Sequence, residues 1–407
     1  MFQEQIISED INTNAGQFGE SECRWLAEQY HLGEPTVLQA VNEYSPEQFL
    51  RLFLTAHGMP PVGTWQTHTY ARVTDSITGR DHFFLIPIPF ERRSVASVVA
   101  TTTQKPRIRF EGGLLWIDHI ATTVRPQSIP HTTPFWYFHY DPNLEASPFH
   151  SMTLNLKPAC PEKCTLCAGA KTGRVNNGTE GALSTDSVFK RIFWQHPKAK
   201  AQLDSVAVVT GCFENFNALT DHLRDVREVA TKYSSPKTFR VLEHNVATTE
   251  QFDLVVGELG YDVFITLECF DQALRKIALN GNVGRKGRNS AEFLEMIGTY
   301  AEYLEAHPEL GKHFVHVTYL TGIDSLEVSE FLFQQFAEIN NRMKNVSVVP
   351  WLSVFTPYDK TMRVIQHWDF SLKFLIDAQR LAKKYFAPAL LEAESGSTAD
   401  GYARGLF

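Results

Sequence analysis

The sequence predicts an α/β protein, a partial (β/α)6 barrel of the TIM type with an N-terminal α+β domain. Three observations lead there. From about residue 149, short strand-like runs alternate with longer helical patterns, six times over. The connections are of similar length, and no glycine-rich nucleotide loop follows the first strand, which favours a barrel or partial barrel over a doubly wound sheet. Before residue 149 the texture differs, with short helices followed by β-rich stretches.

The elements follow in order. Residues 1–148 form the predicted accessory domain, with polar sequence first and then helical patterns at 21–29 and 45–56. Ser45 and Pro46 mark the second helix start, a capping hydroxyl followed by a proline in the first turn. Strands are expected at 82–88, 107–110 and 114–120, with Gly112 and Gly113 turning between the last two. The proline-rich stretch 126–148 reads as a linker. The barrel-like domain spans 149–387, with strands at 151–157, 205–210, 238–243, 262–268, 314–320 and 346–354. Helices are expected at 185–194, 218–232, 249–259, 290–306, 325–342 and 365–385. Residues 388–407 form a loosely held tail.

Composition bounds the function. The 407 residues are 43% hydrophobic and 21% charged, with ample material for a core. A net charge of −8 offers no basic field for nucleic acid or an anionic membrane. No apolar run reaches the length of a membrane span, and the opening residues lack the pattern of a secretion signal. A cytoplasmic protein acting on a small molecule, with neither nucleic acid nor membrane as partner, is the expectation. There are six cysteines, and three of them, Cys160, Cys164 and Cys167, fall within eight positions. A disulfide framework would spread its cysteines more evenly, so this cluster points to metal or redox chemistry.

The triplet Cys160-Pro-Glu-Lys-Cys164-Thr-Leu-Cys167 follows directly on the first barrel strand. Three close thiolates suit an iron–sulfur cubane, each holding one iron and leaving a fourth iron open. A zinc site or a closed electron-transfer cluster wants a fourth ligand nearby. His150 precedes the strand and sits at its wrong end. No second cysteine cluster is present for an auxiliary iron–sulfur centre.

This C-x3-C-x2-C spacing, placed after the first strand of a six-unit β/α region, resembles the radical S-adenosylmethionine (SAM) superfamily. The resemblance covers residues 149 to about 386. It implies one 4Fe-4S cluster on Cys160, Cys164 and Cys167, with SAM chelated at the open iron. It also implies an electron donor such as flavodoxin or ferredoxin. Reductive cleavage of SAM then usually yields a 5′-deoxyadenosyl radical. Leu166 stands where the family usually has an aromatic residue, and offers the adenine an apolar face.

The other strand ends supply the remaining candidates. Gly211, after the second strand, permits close backbone approach and resembles part of the family's glycine-rich SAM segment. Glu243 and His244 end the third strand, as a cap or ion pair, or as a carboxylate for the ribose hydroxyls. The end of the fourth strand resembles the biotin-synthase-like branch, in which Glu268 and Arg275 would contact SAM. The plainer alternative is that Asp271 caps the next helix and Arg275 balances it. The fifth strand runs out through Thr321-Gly322-Ile323-Asp324, similar to a segment that packs on adenine. Trp351 and Phe355 read as core packing. Cys212 and Cys269, expected at the same mouth, are candidate hydrogen-atom donors or soft ligands, against the alternative of packing.

Three functions remain open. The first is hydrogen abstraction from a small molecule by the deoxyadenosyl radical. The second is transfer of the 3-amino-3-carboxypropyl group of SAM to a soft nucleophile such as trivalent arsenic. The third is a non-catalytic iron–sulfur scaffold or electron carrier.

Overall fold

A computed structural model describes residues 18–57, 68–74, 81–87, 106–112, 114–122, 124–127, 136–139, 151–154, 184–209, 213, 215–243, 245–278, 288–354 and 371–386. The chain divides into two compact units, residues 1–89 with 101–128, and residues 90–100 with 129–407.

The first unit opens with α1 (Glu20–Tyr30), α2 (Pro35–Glu43) and α3 (Pro46–His57). Each start has a local cause. Glu22 reaches back to the Gly19 N–H at 2.9 Å, Pro35 occupies the first turn of α2, and Ser45 and Gln48 bond each other's backbone N–H. Leu26, Ala27, Val37, Phe49, Leu50 and Phe53 form the buried helix faces. The strands β1 (His68–Thr74), β2 (Asp81–Pro87) and β6 (Arg125–Gln127) make one antiparallel sheet in the order β2-β1-β6. A second contains β3 (Ile108–Glu111), β4 (Leu114–Ile117) and β5 (Ile120–Ala121).

Where α1 and α3 meet, His31 Nε2 lies 3.2 Å from His57 Nε2, and His31 Nδ1 lies 3.4 Å from Glu34 Oε2. Burial lowers the His31 pKa to about 4. The unfolded chain, with a histidine near its ordinary value, therefore binds more protons than the native one between that point and about pH 6.5. His31 stabilises the fold above this window and is increasingly destabilising as the pH falls through it, by about 3 kcal/mol at most. Thermal melts between pH 7 and pH 4 should show a steeper loss for the wild-type chain than for His31→Gln. Parallel pH dependence in the two proteins would remove His31 as the cause.

The second unit is built on a seven-stranded sheet ordered β13-β12-β11-β10-β9-β8-β7. Its strands are β7 (Trp136–His139), β8 (Ser151–Leu154), β9 (Ser205–Val209), β10 (Thr238–Glu243), β11 (Tyr261–Glu268), β12 (Phe314–Thr321) and β13 (Ser347–Val354). β8 through β13 are mutually parallel and lie in sequence order, while β7 pairs antiparallel with β8 at the edge. Sequential order rules out a doubly wound sheet, whose strand order reverses at a switch point. Crossovers of one hand then place the helices on one face.

Packing agrees with that placement. The Tyr261 hydroxyl donates to Leu223 O of α6 (Phe216–Tyr233) at 2.8 Å, and Tyr300 of α9 (Ser290–Ala306) lies 3.3 Å from Val263 N through its hydroxyl. Tyr319 meets Phe333 of α10 (Leu326–Asn340) edge-on. The helix starts are capped by side chains, Ser184 for α4 (Thr185–Gln195), Asn215 for α6, Asn289 for α9, Ser325 for α10 and Ser371 for α11 (Leu372–Tyr385). Two shorter helices are α5 (Ala199–Gln202) and α8 (Gln272–Ala278).

Several expectations change. The helix expected at 249–259 is one α-turn, α7 (Thr249–Phe252), continued as a π-helix over Asp253–Glu258. The stretch expected to link the domains carries two strands, β6 and β7. Pairing of β7 with β8 places residues 136–139 in the sheet of the second unit. Proline composition suggested a linker, but Pro126 is tolerated because β6 is an edge strand. α2 and β1 had no counterpart in the sequence reading. The tail at 388–407 lies outside the described residues.

Candidate active site at the strand ends

In a parallel sheet, the C-terminal strand ends are the usual place for chemistry, because the loops there are free of the fold's packing duties. Cys160, Cys164, Leu166 and Cys167 fall between β8 and α4 in sequence and lie outside the described residues; Gly211, Cys212 and His244, after β9 and β10, lie outside them too. Among the described residues, no group of three or more metal-ligating side chains is present.

β11 ends in an irregular turn. Its pairing with β12 shifts register between Thr266 and Glu268, and Glu268 has φ of 69°. Cys269 N–H donates back to Leu267 O at 3.0 Å, closing a three-residue turn around Glu268. A glutamate at positive φ is strained by of order 1–3 kcal/mol and persists only where its surroundings hold it there. Arg275 of α8 does the holding. The side chain is 1% exposed, and Nη1 donates to Leu267 O at 2.8 Å and Cys269 O at 2.6 Å. Its guanidinium also lies 4.5 Å from the Phe293 ring centroid.

The next residues are tied to β12. Asp324, just beyond β12, accepts from Phe270 N–H, from Asp271 N–H at 3.0 Å and from the Tyr319 hydroxyl at 2.7 Å. Burial raises the Asp324 carboxyl pKa, opposed by these donors. Asp271 accepts from Ala273 N–H and Leu274 N–H, capping α8 as the plainer sequence alternative had it. Asp324 was not singled out in the sequence, although an acidic residue ending a strand-exit segment was the available signal.

Cys269 is fully buried, and desolvation raises its pKa well above the ordinary thiol value, with Asp324 and other carboxylates adding to the effect. It is a neutral thiol at neutral pH. Glu243, at the end of β10, shares the helix-packed side of its strand with Phe239 and Val241. It is buried, and Oε1 accepts from Asn245 N–H at 3.1 Å. Asn245 is 5% exposed, and neither Oδ1 nor Nδ2 has a hydrogen-bond partner. Such an amide costs roughly 1–3 kcal/mol for each unpaired group, so a ligand or water is expected to use it. The structure thus joins Glu268, Cys269, Arg275 and Asp324 in one network, with Glu243 at the end of the adjoining strand and Asn245 just beyond it.

No family model matches the sequence, and no curated protein matches it. Among solved structures, the chain is similar to the X-ray structure of the FeFe-hydrogenase maturase HydG from Carboxydothermus hydrogenoformans. The identity is 12% and the TM-score 0.40, over 62% of this chain and 56% of that one. The match therefore spans little more than half the length of that protein.

Proposed function

We propose that the chain is a radical SAM enzyme with one 4Fe-4S cluster, built on a partial (β/α)6 barrel and acting on a small molecule. The observation that carries this reading is the position of the cysteine triplet. Cys160, Cys164 and Cys167 leave the first of six parallel strands arranged in sequence order, on the connection to the first helix. Three thiolates without a fourth cysteine nearby fit a cubane with one open iron. The sheet order supports the barrel, since a singly wound sheet with its helices on one face must curve to bury the other.

Cys160, Cys164 and Cys167 would hold the cluster, which would supply the electron for reductive cleavage of SAM. The chain's own residues position that SAM. Glu268, presented by its strained turn, is the acceptor for the ribose hydroxyls or the methionine ammonium. Arg275 acts through the Leu267 and Cys269 carbonyls that it anchors, and Glu243 acts through the Asn245 backbone. Gly211 allows close approach of the SAM amino group, Leu166 covers the adenine, and Cys212 is the candidate hydrogen-atom donor. Reducing equivalents come from a small flavin or iron–sulfur protein.

The test is the nucleoside released when the anaerobically reconstituted, reduced protein is given SAM. 5′-Deoxyadenosine is the expected product. Methylthioadenosine would move the assignment to aminocarboxypropyl transfer, and an intact cluster that leaves SAM unbroken would sink the enzymatic reading.

A further inference from the structure

The face of the parallel sheet opposite the helices carries its own set of polar and aromatic side chains. In register, Trp351, Thr318 and Thr266 are direct neighbours across β13, β12 and β11, near the C-terminal strand ends. One layer below, His316, Phe264 and Leu242 are direct neighbours in the same way. The Phe264 ring meets Trp351 edge-on at 4.9 Å and His316 at 4.3 Å, which confirms that the two layers share a face. Arg240 reaches the same ring from β10, at 5.8 Å. Leu242 packs against Phe264 and Trp351, giving this face an apolar floor.

Two polar atoms on this floor are unspent. Trp351 is 8% exposed, and its Nε1–H has no hydrogen-bond partner. Thr266 Oγ1 is buried and likewise without one. An indole N–H is a donor and nothing else, so it calls for an acceptor. A buried tryptophan usually finds one, and leaving it orphaned has a desolvation cost that an apolar ring would not carry. Packing alone therefore accounts for Phe264 and Leu242 but not for a tryptophan and a threonine in this row.

We infer that this face is a ligand subsite that takes a small molecule presenting a carbonyl or carboxylate oxygen to Trp351 Nε1 and Thr266 Oγ1, with an apolar body against the half-buried Leu242, which the fully buried Phe264 ring supports from within the core. The inference deepens the enzymatic reading above by naming the substrate class. It draws on that reading only for the role of the strand ends, since the residues concerned are cluster-independent. The shared chemistry is an sp2 oxygen beside an apolar ring, and the charge of the oxygen is left to the probes.

Benzoate, benzamide and toluene are suitable probes, added to the full chain while the indole N–H resonances are followed by NMR. The Trp351 peak is assigned by its disappearance in Trp351→Phe. Benzoate or benzamide should move that peak downfield and saturate with a Kd of about 1 mM, as expected for ligands of this size. Toluene, lacking the oxygen, should bind at least about tenfold more weakly and leave the peak near its free position. Preference for benzoate would identify a carboxylate substrate, and equal binding of benzamide a carbonyl one. Thr266→Val, which keeps the shape and removes the hydroxyl, should weaken benzoate or benzamide binding by about tenfold without lowering the unfolding temperature of the free protein.

The proposal is overturned if neither oxygen-bearing probe moves the peak, or if toluene moves it equally. It is also overturned if Thr266→Val lowers the unfolding temperature and leaves binding intact, because the hydroxyl is then structural. Failure of SAM cleavage with a responsive Trp351 peak would sink the enzymatic reading and leave the subsite standing. Normal SAM cleavage with an unresponsive peak would do the reverse.

Discussion

Replacing Cys160, Cys164 or Cys167 singly by alanine is expected to abolish stable cluster retention and, with it, all SAM cleavage. On the proposed function each thiolate would hold one iron of the cubane, so any single loss would leave two anchors for four irons. The measurement is iron and sulfide per chain after anaerobic reconstitution and desalting. Cys23→Ala should retain a full complement, because Cys23 is buried in the first unit with its thiol 3.7 Å from Pro46 O. Cys212→Ala should retain it too, which separates a fourth ligand from a bystander. Full iron loading in any one of the three triplet variants would show that the ligand set is misassigned.

Arg275→Ala should have the largest effect on stability. The substitution removes a buried side chain from against Phe293 and leaves the carbonyls of Leu267 and Cys269 without the donor that joins them. The Cys269 carbonyl needs Arg275 because the shift of register at Glu268 interrupts the ladder to β12, while Leu267 O keeps the Cys269 N–H as a donor. The lost packing and the stranded Cys269 acceptor together cost about 3 kcal/mol or more. That corresponds to a fall of about 10 °C in the unfolding midpoint of a unit this size. Arg275→Lys should recover little, since one ammonium does not reproduce the planar guanidinium over the Phe293 ring. A variant with wild-type stability and weakened SAM binding would mean instead that Arg275 faces the ligand directly.

The parts of this site that were legible in the sequence are those with local causes. The strand Thr238–Glu243 and the helix Ser290–Ala306 match their expected bounds. Alternation marks the strand, and Asn289 with Glu292 forms a reciprocal cap at the helix start. The Asp271 cap was likewise visible as one of two alternatives. What was not legible depends on neighbours distant in sequence. Glu243 and Glu268 look alike as acidic strand ends, yet one shares the helix-packed side of β10 and the other sits on a strained turn. Asp324 earns its place through Tyr319, Phe270 and Asp271, the last two on another strand exit. Trp351 read as core packing, and its ring does pack, but only the surrounding structure shows its N–H to be unmatched.

The cysteine triplet, the alternation of strand and helix, and the helix caps were determined by the sequence alone, since each is a pattern within a few residues or a spacing along the chain. The sequential order of the parallel sheet, the face each side chain occupies, and the unpaired donors at Trp351 and Asn245 were decided only in the tertiary structure. The physical reason is that hydrogen-bond satisfaction and burial are properties of a packed environment, and strands far apart in sequence supply that environment.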